Sequence, residues 1–525
     1  MASTPYTSYA TLELPADMPK TRPLWRQPHT MDPRTWFRDL TPLFLYLMFI
    51  TTIGPLLFGY HLAELNTPQD VITCKRKSIF EPDATAKSKL PQCIPMTPAQ
   101  IGAVQSVFTL GGLLGALAAG PLSSRYGRLR TMLFSSIFFI IGPALEAPAP
   151  DIATLAIGRL ISGVGAGSCL VSVPIYVSEI SPPEEKGFFG AFTQIMVNVG
   201  IFFTQLLGYF LSRGQLWRIV LGVGGAIGLG QVFGLLLGVE SPKWLADHGH
   251  TREATRILQK IRGSKFDAAG EVASWGVKDA VTDNGEEETL LQNEDSLSQY
   301  SSSNRKDTKK QSLGMVAVIR HPHYAKATFA VIMIMIAQQL TGINSIIMYG
   351  VNLLADLLAS NSAVLNLGVS ALNIVVTAGC APLVDKLGRK TCLMSSCAVM
   401  GTSSLLLGIG ILNSIPILCA IAALSFVGGF ALGLGPIPFI LSAELVGPEA
   451  VSATQGWALA ANWISTFVVA QFFPMVNDAL GKGKVYFIFC AIGAFFFLFI
   501  GWYVPETKGK KDADEVWGRA ASRLD

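Results

Sequence analysis

Long blocks of apolar residues run through this chain and restrict it to one kind of fold. Each block can cross the roughly 30 Å apolar core of a bilayer, where only a helix satisfies the backbone of a single spanning segment. Charged residues make up 14% of the 525 residues, against roughly 25% in soluble domains. We therefore predict an all-α membrane protein with about twelve transmembrane helices. Their centres are placed near Leu47, Leu110, Phe139, Leu170, Gly200, Leu229, Ile336, Ile374, Leu405, Phe430, Ile464 and Phe495.

The two halves of the chain contain similar sequence motifs in the same order. Arg-Tyr-Gly-Arg at 125–128 matches Lys-Leu-Gly-Arg-Lys at 386–390. Pro-Ile-Tyr-Val-Ser-Glu at 174–179 matches Pro-Phe-Ile-Leu-Ser-Ala-Glu at 438–444. In a membrane protein such symmetry predicts two pseudo-symmetric six-helix bundles around a central site. A further pair of related motifs lies at residues 240–243 and 505–508.

The placement of the spans predicts five parts along the chain. No cleavable signal peptide precedes the first span, and the basic residues before it favour a cytosolic N-terminus. Between the bundles, the chain is amphipathic at 252–258 and becomes acidic and Ser-rich at 279–311, which indicates a helix and then disorder. The parts are a cytosolic N-terminal segment at 1–40, a six-helix bundle at 41–239, a cytosolic linker at 240–322, a six-helix bundle at 323–504 and a cytosolic C-terminal tail at 505–525.

An acidic run precedes a pair of leucines within the linker. Glu286, Leu290 and Leu291 match an acidic dileucine signal, which a cytosolic sorting adaptor would bind. The alternative is a chance leucine pair in an acidic stretch. If the signal is real, it favours a vacuolar or endolysosomal membrane over the plasma membrane.

Two of the cysteines lie in a loop that is predicted to be outside. The basic residues of this loop argue for the opposite side, but the N-terminal charges and the Gly-Arg turns outweigh them. On the oxidising side Cys74 and Cys93 could form a disulfide, and two unpaired thiols are the alternative. The other cysteines fall in or beside apolar spans without metal-ligand spacing, so we expect neither a metal nor a cofactor.

Each Gly-Arg turn has carboxylates in its own half. Glycine permits a tight reversal between helices, and arginine can donate two parallel hydrogen bonds to a carboxylate. We predict a cytosolic charge cluster that latches the bundles in one state and releases them in the other. The alternative is that the arginines only orient the protein in the membrane. The predicted intracellular gate contains Arg125, Arg128, Glu179, Glu240, Asp385, Arg389, Glu444 and Glu506.

Three amides interrupt an otherwise apolar span of the second half. Gln338, Gln339 and Asn344 are costly in a membrane unless their polar atoms are satisfied. Gly342 lies among them and is expected to interrupt the helix. Neutral donors and acceptors suit an uncharged, polyhydroxylated ligand. The alternative is hydrogen bonding between helices.

Short motifs follow one another in the order and spacing of a known family. They lie at 58–60, 66–69, 125–128, 158–159, 174–182, 240–242, 338–344, 435–438 and 505–509. On these motifs the chain resembles the sugar porters of the major facilitator superfamily and is similar to the facilitative hexose transporters. The resemblance implies a monosaccharide carrier, best matched to a hexose such as glucose, that works by alternating access and is not an enzyme. Facilitated and proton-coupled transport both stay open.

The resemblance also implies where a sugar would bind. The family's fifth-, eighth- and eleventh-helix contacts correspond to Gln194, Asn373 and Asn462, and its seventh-helix contacts to the three amides above. Tyr349 corresponds to an outer-gate tyrosine. Arg159, with Glu179 and Glu444, corresponds to the intracellular charge network. Three departures, namely Phe439 for a tryptophan, Ala431 for a glutamate and Met348 for a second gate tyrosine, predict a less polar site than that of the hexose facilitators.

The first span carries a further departure at His61. Proton-coupled porters resemble this segment but have aspartate there, and facilitators have asparagine. Histidine titrates near neutral pH in water, and Glu64 follows one turn later. Proton sensing by His61 and Glu64 is therefore one hypothesis. A neutral histidine bonded to a neighbouring helix is the other.

Two other classes of protein remain as alternatives. A non-transporting sugar sensor would share the fold, but such proteins tend to have long cytosolic tails, and only a short segment follows Gly509. A polytopic membrane enzyme would need paired acids or a metal site apart from the gate residues, and the sequence has no such group. The expected partners are a sugar, with protons if transport is coupled, and the lipid bilayer, with no nucleic acid.

Overall fold

Helices form almost all of the chain that the computed structural model describes. Among these residues, twelve helical spans are long and apolar enough to cross a membrane, and each predicted centre lies within one of them. This confirms the all-α membrane fold. The dileucine residues Glu286, Leu290 and Leu291 and the stretch at 279–311 lie outside the described residues. The structure describes residues 40–75, 90–182, 185–263, 266–275, 315–358, 361–447, 449–510 and 513–518.

The first half supplies six spans and one short helix. The predicted first span, near residues 41–64, is observed as α1 at Pro42–Ala63. Short helix α2 follows it in the loop that contains Cys74. The remaining helices of this half are α2 (Gln69–Ile72), α3 (Pro98–Tyr126), α4 (Arg128–Glu146), α5 (Ile152–Ile180), α6 (Lys186–Leu211) and α7 (Trp217–Leu236).

Short helices join the two halves, and six more spans follow. The amphipathic pattern at 252–258 lies within α9, whose apolar side chains Ile257, Leu258 and Ile261 are buried. The joining helices are α8 (Pro242–Asp247), α9 (Thr251–Arg262), α10 (Ala268–Ser274) and α11 (Met315–Arg320). The second half has α12 (Pro322–Leu340), α13 (Ile343–Leu358), α14 (Asn361–Leu387), α15 (Arg389–Leu412), α16 (Pro416–Leu432), α17 (Ile437–Glu444), α18 (Val451–Leu480) and α19 (Val485–Tyr503), followed by α20 (Ala513–Val516).

Local sequence signals set where several spans begin. Thr97 begins α3 with a capping box, because its side chain accepts from the Gln100 backbone while the Gln100 side chain accepts from Thr97 N. Thr41 and Asp151 accept from the first turns of α1 and α5 in the same way. These oxygens satisfy amide groups that a helix start leaves without partners.

Two spans of the second half are broken inside the membrane. The seventh span divides into α12 and α13 at Gly342, as the sequence predicts, and Gly342 has a φ of +97°. The tenth span divides into α16 and α17 at residues 433–436. A broken helix exposes backbone groups, which in a membrane must find partners in the protein. The breaks therefore mark places where side chains from other helices meet the backbone.

The ends of the spans define two faces of the molecule. The turns at Gly127 and Gly388 lie at one end, here called the basic face, which the sequence predicts to be cytosolic. The loop with Cys74 and Cys93 lies at the opposite end, here called the disulfide face. The two halves meet where α3 packs along α18 and where α6 packs along α14. Buried polar side chains lie near these contacts, so a binding site is expected between the halves.

Candidate functional site

Four amide side chains meet inside the second half. Gln338 and Gln339 end α12, Asn344 begins α13 and Asn462 lies on α18. Asn462 Nδ2 donates to Gln338 Oε1 at 2.6 Å, and Asn344 Nδ2 donates to Gln339 Oε1 at 2.6 Å. Gln339 Nε2 joins the two pairs through Asn462 Oδ1 at 3.3 Å. These four residues form one connected group, here called the amide cluster.

One member of the amide cluster also stabilises a broken helix. Gln338 Nε2 donates to the carbonyl oxygens of Leu434 at 2.7 Å and Gly435 at 3.0 Å, in the break between α16 and α17. For Gln338 the structural alternative of hydrogen bonding between helices is therefore realised. Gln339 is only half-buried, and its described bonds go to other amides. Bonds between amides can be exchanged for bonds to hydroxyl groups without leaving the backbone unsatisfied.

Asn373 bridges the two halves instead of joining the amide cluster. Its Nδ2 donates to Asn198 Oδ1 on α6 at 3.3 Å, and Asn198 Nδ2 donates to Thr377 Oγ1 at 3.0 Å. Gln194 lies one turn before Asn198, is half-buried and makes no hydrogen bond within the described residues. Asn198 was not predicted from the sequence. Its position one helical turn after Gln194, on the same helix face, is the signal that could have found it.

The two predicted aromatic contacts have different surroundings. Tyr349 is buried on α13, donates its hydroxyl to Ala470 O at 2.5 Å and stacks on Phe473. Its hydroxyl group is therefore bound within the second half. Phe439 lies on α17 and is 43% exposed. That exposure leaves its ring available to a ligand or to lipid.

At the basic face, the first half holds its charges in a compact group. Arg128 donates from Nε and Nη2 to both carboxylate oxygens of Glu179, at 2.9 and 2.8 Å. Glu240 accepts from the backbone N–H groups of Arg128 at 2.8 Å and Leu129 at 3.1 Å. Glu240 thereby caps the start of α4, where a carboxylate is favoured by the helix dipole. Arg125 is exposed and lies over the ring of Tyr126.

The second half repeats this arrangement with its own residues. Arg389 donates from Nε to Glu444 at 3.1 Å, and Glu506 accepts from Arg389 N at 2.9 Å. Thr507 donates to Glu444 in the same way that Ser241 donates to Glu179 in the first half. The side chain of Asp385 lies outside the described residues. The repeat in the sequence thus corresponds to a repeat of side-chain chemistry.

The described ion pairs of these groups join residues of the same half. Arg128 pairs with Glu179, and Arg389 pairs with Glu444. In this conformation the pairs therefore hold each half's own helix ends together. A latch that joins the two halves stays a prediction for another conformation.

The expectation that Arg159 belongs to the intracellular charge network is wrong. Arg159 lies two turns after Ile152, the first residue of α5, and α5 begins near the disulfide face. About 30 Å of helix separates it from Glu179, at 1.5 Å per residue. Its guanidinium is fully buried and donates to Glu64 Oε1 at 2.5 Å and to His61 O at 2.6 Å. The sequence motif located Arg159 on its helix, but not the depth at which it would find a carboxylate.

His61, Glu64, Arg159 and Glu146 form one group, here called the buried charge cluster. His61 Nδ1 lies 2.9 Å from Glu64 Oε2, and one ligand-type atom of each of His61, Glu64 and Glu146 lies within 4.8 Å of the others. All four side chains are fully buried. Such a group could hold a small cation, although Arg159 already places a positive charge against Glu64.

Glu146 is the member that the sequence analysis missed. It is the last residue of α4, and its Oε1 accepts from Ser162 Oγ at 2.7 Å. No family motif covers it. The available signal was a lone carboxylate at the end of an apolar span, just before the polar turn.

At the disulfide face, the two halves are joined by side chains that follow α1. Asn66 donates to Ile347 O at 2.7 Å and accepts from Val351 N at 3.1 Å, and both partners belong to α13. Asn352 donates to Asp70. Cys74 and Cys93 are joined by a disulfide in the same region. The disulfide face is therefore closed between the halves in this structure.

The chain matches known proteins along most of its length. The family model described as "Sugar (and other) transporter" matches residues 47–515. The chain belongs to the sugar porter family of the major facilitator superfamily. Membership in this family makes it a multi-pass membrane protein and a transporter rather than an enzyme.

Among its relatives in this family are two yeast proteins and the mammalian glucose carriers. "Probable metabolite transport protein YBR241C" of Saccharomyces cerevisiae is 33% identical and covers 91% of this chain and 97% of its own length. "Vacuolar protein sorting-associated protein 73" of the same yeast is 32% identical over 91% of this chain and 96% of its own. Facilitated glucose transporter member 3 of Rattus norvegicus is 27% identical over 90% of this chain and 92% of its own length.

A solved structure shares the fold. The xylose transporter XylE from E. coli, in a partially occluded inward open conformation, superposes with a TM-score of 0.70. The identity is 22%, and the match covers 90% of this chain and all of that chain. This likeness confirms the two-bundle fold.

Proposed function

We propose that this protein carries a monosaccharide, best matched to a hexose such as glucose, across a membrane by alternating access. The observation that supports it most is the amide cluster, because it offers neutral donors and acceptors in a broken span without any unpaired charge. A sugar hydroxyl group can both donate and accept, so it can replace the amide-to-amide bonds of Gln339 and Asn344. The relatives named as glucose transporters are in keeping with this substrate class.

The arrangement of the two faces supports alternating access. Contacts between halves close the disulfide face through Asn66 and α13, whereas the described ion pairs of Arg128 and Arg389 at the basic face lie within each half. A carrier must close one face of the membrane while the other opens. Contacts between the halves at one face, with ion pairs inside each half at the other, are expected for a state that is closed at the first face only. In the opposite state we expect the residues around Arg128 and Arg389 to exchange partners across the halves.

We propose in addition that transport responds to pH through His61 and Glu64. These side chains bond to each other in a region closed to water, so any change in protonation changes the local charge. Another protein with this fold, the xylose transporter XylE, is named a proton:xylose symporter. The symporters have a single aspartate at the position of His61. In this chain His61 and Glu64 would both take part in the response to protons.

Counterflow in proteoliposomes tests the sugar-carrier proposal. Purified protein is reconstituted in vesicles loaded with unlabelled D-glucose, and entry of labelled D-glucose is followed over time. We expect saturable entry in the wild type and at least a tenfold loss for Asn344→Ala, about 1.4 kcal/mol or more of binding free energy. Asn413→Ala, which removes an exposed amide at the end of α15, is the matched control and is expected to transport normally.

The same vesicles identify the sugar. D-xylose, a disaccharide and a polyol are compared with D-glucose as competitors of labelled entry. If only the pentose competes, the protein is a sugar carrier and the hexose assignment is wrong. If none enters, although the protein binds sugar with the same dependence on Asn344, the sensor alternative is correct.

We further propose that the protein resides in a vacuolar or endolysosomal membrane. The dileucine pattern and the name of the vacuolar sorting relative support this location. In cells, a fluorescent fusion of the wild type is expected on that membrane, and a Leu290→Ala/Leu291→Ala variant at the cell surface. Leu297→Ala in the same linker is the control. An unchanged location in the double variant would show that another signal directs the protein.

A further inference from the structure

Glu146 occupies a position that the sugar-carrier proposal does not explain. Its side chain is 0% exposed at the end of α4, and Ser162 Oγ donates to its Oε1. Its other oxygen, Oε2, is buried without a hydrogen-bond partner among the described residues, as is Nε2 of His61. A buried carboxylate oxygen without a partner is costly when the group is ionised. We therefore expect Glu146 Oε2 to bind a proton or a cation, or to accept a hydrogen bond.

A count of charges shows what is missing. Arg159 is bonded to Glu64, and an oxygen of Glu146 lies within 4.8 Å of an oxygen of Glu64. Among the described residues, Arg159 is the guanidinium bonded to a carboxylate of the buried charge cluster. With both carboxyl groups ionised and His61 neutral, the cluster carries one negative charge in excess in a fully buried region. Two neighbouring carboxylates in such a place share a proton, because like charges this close destabilise each other.

We propose that Glu146 holds the proton of the buried charge cluster, shared with Glu64, and that this proton is the one that transport carries or senses. The inference deepens the proposed function and rests on it. The proton comes from the solution at the disulfide face when that face opens, and it binds the carboxylate oxygen of Glu146 that is unpartnered in this structure. While the proton is on Glu146, Glu64 is ionised and paired with Arg159.

The other ionisable groups around Glu146 already have partners of their own. On α1, Tyr60 donates its hydroxyl to Val220 O, and His61 is bonded to Glu64 through Nδ1. On α7, Arg218 donates to the carbonyl oxygens of Ala147 and Ala149, beside the end of α4. The described partners of Arg218 are thus backbone carbonyls and not the Glu146 carboxylate. Only Glu64 and His61 remain as groups that can share a proton with Glu146.

A proton fits the cluster better than a metal ion. A proton brings the cluster to neutrality, whereas a divalent cation would leave one positive charge in excess in a dry site. Arg159 also occupies the space on the Oε1 side of Glu64. The geometry therefore favours the smallest cation.

The protonated pair is connected to the contacts that close the disulfide face. Arg159 Nη2 lies 3.4 Å from Gln105 Oε1, and Gln105 Nε2 donates to Met348 O on α13 at 3.4 Å. Asn66, two residues after Glu64, bonds to the same helix. If Glu146 loses its proton, Arg159 is drawn to two carboxylates and its contact with Gln105 weakens. Gln105 would thus act as a positioning residue between the proton and the gate.

The test follows proton movement and sugar movement in proteoliposomes of one preparation, which are sugar-free for the proton measurement and loaded with unlabelled D-glucose for counterflow. A pH-sensitive dye inside the vesicles reports proton entry when D-glucose is added outside, while labelled D-glucose reports counterflow. We expect the wild type to acidify the lumen on addition of sugar, and Glu146→Gln to lose this signal and the pH dependence of counterflow. Glu253→Gln, an exposed carboxylate on α9 with the same chemical change, is expected to behave as the wild type.

Each result decides between the two proposals. If Glu146→Gln acidifies the lumen as the wild type does, the inference is wrong. If the wild type exchanges sugar without any proton signal or pH dependence, the inference fails and the sugar carrier stands. If the wild type exchanges no sugar, the proposed function fails, and infrared spectra of the purified protein still decide whether a buried carboxylic acid exists.

The infrared measurement also covers a variant that folds poorly. We expect a C=O band of a protonated carboxyl group in the wild type at neutral pH, and its loss in Glu146→Gln. Glu146→Asp keeps a carboxyl group and is expected to restore the band and the lumenal acidification in part. A wild-type spectrum without the band would overturn the assignment of the proton to this pair.

Discussion

At the residue scale, two glycines show how a missing side chain organises a charge cluster. Gly127 and Gly388 have φ values of +99° and +97°, in the region that side chains rarely adopt. A Cβ atom on Gly388 would lie 2.5 Å from Glu506 Oε2, and one on Gly127 would lie 2.3 Å from Glu240 Oε2. Glycine is therefore needed both for the turn and for the approach of the carboxylate that caps the next helix.

We expect Gly388→Ala to lower the thermal unfolding temperature of the purified protein. The strained φ value and the displaced Glu506 together are expected to cost about 1–3 kcal/mol. Gly120→Ala is the matched control, because a Cβ there would meet nothing within 4 Å. Equal unfolding temperatures for the two variants would contradict the role given to this turn.

At the element scale, the cap of α5 predicts a pH dependence of stability. Asp151 Oδ1 accepts from Thr154 N at 2.8 Å, and this bond holds the pKa of the Asp151 carboxyl group below its ordinary value. A lowered folded-state pKa stabilises the fold above the unfolded pKa of about 3.9. The contribution is lost as the pH falls through the lower folded-state value.

We therefore expect Asp151→Ala to lower the unfolding temperature at neutral pH and to matter less at acid pH. Asp151→Asn retains a cap oxygen and is expected to be close to the wild type, because both residues are good caps. Unfolding followed by fluorescence at several pH values measures the difference. A difference between the alanine variant and the wild type that does not depend on pH would argue against the cap.

The loop between α2 and α3 depends on a covalent bond as well as on packing. Cys74 and Cys93 are 19 residues apart in the chain and have Cα atoms 5.2 Å apart. Closing a loop of this size stabilises a fold by about 2–4 kcal/mol in the chain-entropy account. It also keeps Ile94 packed with Val71 and Ile72 beneath the disulfide face.

We expect Cys93→Ser to unfold at a lower temperature than the wild type and to be insensitive to reductant. Cys490→Ser, which replaces a half-buried free cysteine on α19, is the control and should keep the reductant effect. Differential scanning fluorimetry with and without dithiothreitol measures both effects. If reductant leaves the wild type unchanged, the bridge contributes nothing to stability.

At the scale of the whole molecule, closure of the disulfide face is a balance that single contacts can shift. Asn66 makes its two best bonds across the halves, to Ile347 O and Val351 N, so it stabilises only the closed arrangement. A contact present in one of two states changes their populations by its own free energy. Each such bond contributes about 0.5–1.5 kcal/mol.

We expect Asn66→Ala to open the disulfide face more often. Hydrogen exchange, followed by mass spectrometry, should become faster for α13 and for the segment after α1. Exchange in α15, which is remote from these contacts, should not change. Unchanged protection of α13 would mean that the closing free energy lies in other contacts between the halves.

Much of the fold was predictable because hydropathy records the surroundings of each span. The blocks around Leu47 and Phe495 are apolar whatever they pack against, and Gly342 marks a helix break by its own backbone freedom. The amide cluster was also largely predictable, because Gln338, Gln339 and Asn344 lie close together in the chain. Only Asn462 comes from a distant helix, and the family resemblance placed it.

What the sequence did not predict concerns lateral contacts between helices. Arg159 was assigned to the wrong face, since a Gly-Arg pair has the same appearance at either end of a span. Glu146 and Asn198 were missed because nothing near them in the chain identifies their partners. The position of Asn373 opposite Asn198 follows from the packing of α6 on α14.

Local composition and spacing encode the twelve spans, the two-fold repeat and the carboxylates matched to each Gly-Arg turn, so these features were predictable without a structure. The packing of the helices was needed to show that the described ion pairs of the basic face lie within each half and that Glu146 joins His61, Glu64 and Arg159. These contacts depend on how deep each side chain lies within the protein and on which neighbouring helix it faces. Both properties are set only when the helices pack against one another. A charged side chain that becomes buried by this packing must then find its partner on another helix.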